Sequence, residues 1–193
     1  MTKHIAFIGI DGSGKSTLAN LLYEEYPDRV VLLKEPGLKE TMAIVDRFDD
    51  PMVHALAFLT DRFAQLEMLR TLKLKDKLVV FDRWHDCTIA YQGHGGTVSL
   101  DTLNQFRKHL PHLDYIFWVD CLAQTAYKRA IKRADDRYSL LNLEQLTKIQ
   151  SGYQAIYQSN RHNPRTKYYR LDAESHDPLT LLNKVKTVLK LNG

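Results

Sequence analysis

Short apolar runs alternate with longer amphipathic stretches along the whole chain. Residues 5–10, 30–34, 78–81, 115–119 and 167–171 have strand character. Continuous apolar runs such as Leu78-Val79-Val80-Phe81 and Ile116-Phe117-Trp118-Val119 suit strands buried on both faces of a parallel sheet. Between the strands, Leu56, Leu59, Phe63, Leu66 and Leu69 recur at spacings of three and four. That spacing predicts a helix with this stripe as its apolar face. Leu179, Leu182, Val185 and Leu189 predict a second such helix near the C-terminus. Five strands separated by helices imply an α/β fold, a doubly wound five-stranded parallel sheet flanked by helices. No repeat, low-complexity segment or linker interrupts the pattern, so residues 1–193 are expected to form a single domain.

Composition narrows the class. The 44% apolar and 26% charged fractions are those of a soluble globular protein, and the length suffices for one full core. No apolar stretch approaches the length of a membrane span, and the N-terminus lacks the apolar region and cleavage site of a signal peptide. Two cysteines, Cys87 and Cys121, imply no disulfide framework, and the expected location is cytoplasmic. The net charge of +4 is mild. One basic cluster, Lys128, Arg129, Lys132, Arg133 and Arg137, suits the phosphates of a small substrate as well as a nucleic acid.

Candidate chemistry begins at Gly9-Ile10-Asp11-Gly12-Ser13-Gly14-Lys15-Ser16, between the first strand and a helical stretch opening at Thr17. A Gly-x4-Gly-Lys-Ser loop in that setting aims backbone N–H groups and a helix N-terminus at phosphates. Lys15 adds a charge at the β- and γ-phosphates, and the Ser16 hydroxyl reaches Mg²⁺. A nucleoside triphosphate is therefore expected against Gly9, Gly12, Ser13, Gly14, Lys15, Ser16 and Thr17. In doubly wound sheets ligands gather at the carboxyl ends of the strands. Glu35-Pro36-Gly37, Asp82-Arg83-Trp84, Asp120 and Asp172-Ala173 all stand there. Asp82 suits the Mg²⁺ water shell and Arg83 a second phosphate. Asp11 is the odd residue, because a carboxylate facing the triphosphate would repel it. It is expected to face a second ligand that offers a donor such as a sugar hydroxyl, which favours a kinase. The Asn-Lys-x-Asp stretch expected of a GTPase does not occur.

Five segments in order resemble the thymidylate kinase family: the loop above, Glu35-Pro36-Gly37, Phe58-Leu59-Thr60-Asp61-Arg62, Asp82-Arg83 with Ala90-Tyr91-Gln92-Gly93, and Leu171-Asp172-Ala173. The resemblance implies ATP-dependent phosphorylation of dTMP to dTDP in pyrimidine deoxynucleotide synthesis, with Mg²⁺ as cofactor. It implies a homodimer, with ATP and dTMP as ligands and neither nucleic acid nor membrane as partner. Phe58 and Arg62 are four apart, as are Thr88 and Gln92, so each pair shares a helix face. By the resemblance Phe58 stacks on thymine, Arg62 hydrogen-bonds the base, and Thr88 and Gln92 read its edge. Pro36 adjoins the substrate, Arg83 holds its phosphate, Asp11 meets the sugar 3′-hydroxyl and Tyr138 packs at the 2′ position. Arg129 lies on the adenine, with Asp172 and Ala173 as the opposite wall. Lys15, Asp82, Arg133 and Arg137 carry catalysis, the two arginines from a lid around residues 132–143.

The chain departs from the family pattern in four places. Gly12 stands where some thymidylate kinases carry a loop arginine, so a catalytic arginine is expected from the lid. Trp84 replaces the usual Tyr or His after Asp-Arg, where its indole is expected to alter packing beneath the substrate phosphate. Leu38-Lys39 follows Glu35-Pro36-Gly37 where an arginine is often found, leaving Lys39 or the more distant Arg47 as a substitute. The stretch from Glu35 to Phe58 is also short. Two alternatives stay open on these grounds: a kinase with a broader range of deoxynucleoside monophosphates, and a non-catalytic nucleotide-binding module.

Overall fold

The computed structural model describes residues 2–132 and 141–191. Parallel strands β1 (Lys3–Ile8), β2 (Val30–Lys34), β3 (Leu78–Asp82), β4 (Tyr115–Asp120) and β5 (Lys167–Asp172) form one sheet in the order β2-β3-β1-β4-β5. Helices α1 (Lys15–Glu25), α2 (Lys39–Arg47), α3 (Pro51–Arg70), α4 (His85–Thr88), α5 (Leu100–Arg107), α6 (Ala123–Lys132), α7 (Leu143–Asn160) and α8 (Pro178–Leu189) connect and flank the strands. A π-helical stretch, Ile89–His94, continues α4. Every residue of β3 is buried, as the unbroken apolar run requires of a strand covered on both faces. Phe7 stacks on Phe117 at 5.6 Å between ring centroids, and Phe117 stacks on Tyr169 at the same distance. These rings tie β1, β4 and β5 together on one face. From β1 the chain moves outward to β2 and β3 on one side, then to β4 and β5 on the other. The loop after β1 therefore lies at the switch point, where open α/β sheets bind ligands.

Strands β2 to β5 agree with the sequence pattern to within a residue, whereas β1 sits two residues earlier than expected. Its ladder ends at Ile8, and Gly9 and Ile10 already belong to the loop, where Ile10 is buried all the same. Helix α3 is present, but only part of its expected apolar stripe faces inward: Leu69 is buried and Leu59 and Leu66 pack against the core. Leu56 and Phe63 are exposed, whereas Ala55, Ala57, Asp61, Arg62, Gln65 and Leu69 are buried. In α8 the stripe is buried except for Leu179. Among the described residues no helix is long and apolar enough to cross a membrane. Cys87 and Cys121 are both free and buried.

Candidate active site

Helix α1 begins without a side-chain cap. Gly14 occupies the N-cap position at φ 100, in the left-handed region, and turns the chain so that the N–H groups of the first helical turn face outward. An uncapped helix start beneath an open loop is a ready anion site. Lys15 is 4% exposed, and its Nζ lies 3.0 Å from Asp11 Oδ1 and 3.3 Å from the Ile10 carbonyl. Gly12, at φ 84, closes the loop against α6: a Cβ there would stand 2.3 Å from the Ala126 carbonyl oxygen.

The loop borders two cavities. The larger, about 380 Å³, spans the carboxyl ends of β1, β3 and β2. The phosphate loop, with Lys15, Ser16 and Thr17, forms one end, and Pro36, Phe58, Thr88 and Gln92 form the other. The second, about 260 Å³, lies toward β4 and β5, where Ser13, Thr17, Arg129, Ala173, His176 and Pro178 line it. Gly9 lines neither cavity. Asp172 also lines neither; it accepts the Glu174 and Ser175 N–H groups and so shapes the turn that presents Ala173. Asp120 is occupied by an ion pair with Arg170. Arg133, Arg137, Tyr138 and most of the lid segment lie outside the described residues.

Inside the larger cavity, Asp11 is a hub. Its carboxylate pairs with Arg83 and Lys15 and accepts the Tyr91 hydroxyl at 2.9 Å, while its own N–H donates to that hydroxyl at 2.9 Å. Burial alone would raise the Asp11 pKa, but Arg83 and Lys15 outweigh it and hold the carboxyl well below the usual range. Arg83 reaches this position from a left-handed backbone, φ 87, with its N–H on the Phe7 carbonyl. Such a conformation costs a non-glycine residue about 1–3 kcal/mol. Asp82, at the end of β3, is buried, and its Oδ1 has no hydrogen-bond partner among the described residues. Asp82 and Ser16 both line the cavity, and one carboxylate plus one hydroxyl is the sparse donor set that Mg²⁺ takes beside nucleotide phosphates.

A second layer supports the far wall. Asp61 on α3 accepts the Gly37 N–H at 2.9 Å, the Thr41 hydroxyl at 3.1 Å and Gln65 Nε2 at 2.6 Å, which pins the Glu35–Gly37 turn to α3. Arg62 lines no part of the cavity. It pairs with Glu35, donates to the Thr88 hydroxyl at 3.3 Å and approaches His85 Nδ1 at 3.4 Å. Burial raises the Glu35 pKa despite that pairing, and burial followed by the Arg62 charge lowers His85 to about 4. His85 is thus neutral, with Nε2–H donating to the Leu103 carbonyl at 2.7 Å and Nδ1 accepting from Arg62. Trp84 packs on Phe81 at 4.6 Å and under the Arg62 guanidinium, and does not line the larger cavity. Neither Lys39 nor Arg47 lines the cavity; α2 contributes Met42.

A family model described as thymidylate kinase matches residues 7–176. A thymidylate kinase from Acinetobacter baylyi is 35% identical over 172 residues, covering 80% of this chain and 84% of that one. The chain belongs to the thymidylate kinase family. The thymidylate kinase structure from Ehrlichia chaffeensis superposes with a TM-score of 0.68 at 25% identity, covering 97% of this chain and 98% of that one. A deoxyadenosine kinase from M. mycoides, solved with dCMP and a flexible dCDP bound, shares the fold at a TM-score of 0.77 and 20% identity, covering 97% and 99%. Lining residues absent from the expected set include Lys34, Met42, Cys87 and Tyr91 in the larger cavity, where Tyr91 orients Asp11, and His176 and Pro178 in the second. Tyr91 carried a signal in its Ala-Tyr-Gln-Gly segment, whereas His176 and Pro178 carried none.

Proposed function

We propose that this chain transfers the γ-phosphoryl group of ATP to dTMP, giving ADP and dTDP. The observation that carries this reading is the continuity of the larger cavity. Lys15 and Ser16 at one end share a single space with Phe58, Thr88 and Gln92 at the other. A donor phosphate and an acceptor nucleotide thus meet without an intervening wall. The second cavity takes the adenine, between Arg129 and the Ala173–His176 side.

Each residue role follows from its place. The Phe58 ring stacks on thymine, and Thr88 and Gln92 hydrogen-bond its edge, with Pro36 closing the turn beside the substrate. Arg62 acts from behind, holding the Thr88 hydroxyl in orientation. Arg83 binds the acceptor phosphate, and Asp11, ionised throughout the working pH range, accepts from the 3′-hydroxyl. Tyr138 stands at the 2′ position and disfavours ribose. Phosphoryl transfer leaves little covalent chemistry to the protein, so catalysis rests on alignment and on neutralising the equatorial oxygens. Lys15 supplies that charge from the loop, and Arg133 and Arg137 from the lid around 132–143. Gly12 has no room for a side chain against α6, which supports the lid as the source of arginine. Asp82 and Ser16 would hold Mg²⁺, which when bound would neutralise charge developing on the transferring phosphoryl group.

A homodimer accompanies this function. Leu56 and Phe63 on α3, with Ile44 on α2 and Phe48 just after it, are exposed large apolar side chains of the kind that association covers. The basic residues near Arg129 serve nucleotide phosphates rather than a nucleic acid, and the working compartment is the cytoplasm.

The test is an ADP-release assay with ATP, Mg²⁺ and a panel of nucleoside monophosphates. Turnover strongly favouring dTMP is expected. Comparable turnover with dUMP or other acceptors would replace the narrow specificity with a broad one, and no turnover with any acceptor would leave a nucleotide-binding module.

A further inference from the structure

Lys34 ends β2, and strand alternation decides which way it faces. Leu33 lines a small cavity with Arg62, Gln65, Phe81 and Trp84, on the α3 side of the sheet. Lys34, one residue on, belongs to the opposite face, the side of α1 and the phosphate loop. It is also register partner to Asp82 on β3, and it lines the larger cavity together with Lys15, Ser16, Thr17 and Asp82. Its side chain is solvent-accessible, and among the described residues its ammonium has no ion-pair or hydrogen-bond partner.

The order of strands indicates which ligand it meets. The second cavity puts the donor base toward β4 and β5, and the phosphate loop puts the donor phosphates over β1. Arg83 follows β3, the next strand, and Lys34 ends β2, the strand beyond it. Neighbouring strands are about 4.8 Å apart, so Lys34 stands about 10 Å beyond the loop strand on the acceptor side. Charge points the same way. A nucleoside monophosphate presents a dianion, yet Asp11 already pairs with both Arg83 and Lys15. Among the cations that line the cavity, Lys15 and Arg83 are ion-paired, whereas Lys34 forms no ion pair among the described residues.

We infer that Lys34 is a phosphate-binding residue for the acceptor, holding the non-reacting oxygens of its monophosphate beside Arg83. The inference rests on the dTMP kinase reading above and adds a residue to it. Lys34 takes the place that the segment after Glu35-Pro36-Gly37 leaves without an arginine. An ammonium supplies that charge as a point without demanding the bidentate geometry of a guanidinium.

The experiment measures dTMP, thymidine and ATP binding by calorimetry for the wild type, Lys34→Met and Lys34→Arg. The wild type should prefer dTMP to thymidine. Lys34→Met should weaken dTMP about ten-fold or more, the scale of one charged hydrogen bond, with thymidine and ATP affinities held within about two-fold. Lys34→Arg should restore most of the loss. Unchanged dTMP affinity in Lys34→Met, an equal loss for thymidine, or a loss confined to ATP would each overturn the assignment. If the wild type binds neither dTMP nor thymidine, the function reading itself fails, which is a separate result.

Discussion

Asp11 and Arg83 are 72 residues apart in sequence and form an ion pair within the larger cavity, where the Asp11 side chain is 11% exposed. Lys15 shares the same carboxylate oxygen. One buried anion therefore holds two cations of the cavity in place.

Removing that anion should loosen the empty site. Asp11→Asn leaves Arg83 and Lys15 near one another without compensation, and breaking a buried pair on one side costs about 3–5 kcal/mol. Urea melts of the unliganded protein should register a loss on that scale. Added dTMP should stabilise the variant more than the wild type, because its phosphate restores the missing negative charge. A wild-type midpoint in the variant would remove Asp11 from this role.

Arg83 and Arg137 should separate kinetically. If Arg83 holds the acceptor phosphate as proposed, Arg83→Ala should raise the KM for dTMP about ten-fold or more, as expected for a lost ground-state contact. Arg137→Ala should lower kcat about ten-fold or more with dTMP binding nearly intact, as expected for lost transition-state charge. Steady-state kinetics of both variants decides it, and equal effects on KM would end the division of roles.

His85 predicts a pH dependence of stability. Its ordinary value is 6.5 and its native value about 4, so between these pH values the unfolded chain holds a proton that the folded one lacks. Stability should therefore fall as pH drops from 6.5 toward 4, by about 3 kcal/mol from this residue, and be fully present above 6.5. His85→Gln keeps a donor for Leu103 and an acceptor for Arg62 but cannot titrate. Chemical denaturation across that window should show a flatter slope in the variant, and an identical slope would refute the assignment.

The exposed apolar face of α3 should govern association. Phe63→Glu places a charge in the middle of it, and sedimentation velocity should find the variant at the chain mass of 22.4 kDa and the wild type at twice that. Identical sedimentation of the two would show that Phe63 is not at an interface.

Periodicity revealed the sheet because strands buried on both faces are apolar at consecutive positions, as in Leu78–Asp82. It revealed α3 as a helix but only part of its inward side, since Leu56 and Phe63 are exposed. Asp61, Arg62 and Gln65 are buried because their partners arrive from elsewhere: the Gly37 N–H, the Glu35 carboxylate and the Lys34 carbonyl. No window centred on α3 contains those groups. The loop motif and the Asp82-Arg83 pair were legible because their chemistry is local. The place of Lys34 on the cavity wall needed a neighbouring strand for its meaning, and the left-handed backbone of Arg83 leaves no trace in residue type. His176 and Pro178 reach the second cavity only through the fold of the turn after β5.

The contact between Gly12 and the Ala126 carbonyl also limits what descent can do with this scaffold. An arginine placed in the loop by a single codon change would collide with α6 before it could assist the reaction. The helix would have to move first, with no catalytic gain to favour the move. Under the proposed reading, two successive changes, the first without benefit, make an exchange of a lid arginine for a loop arginine slow to arise. A lineage packed this way is held to its own solution, and the glycine marks where the two routes part.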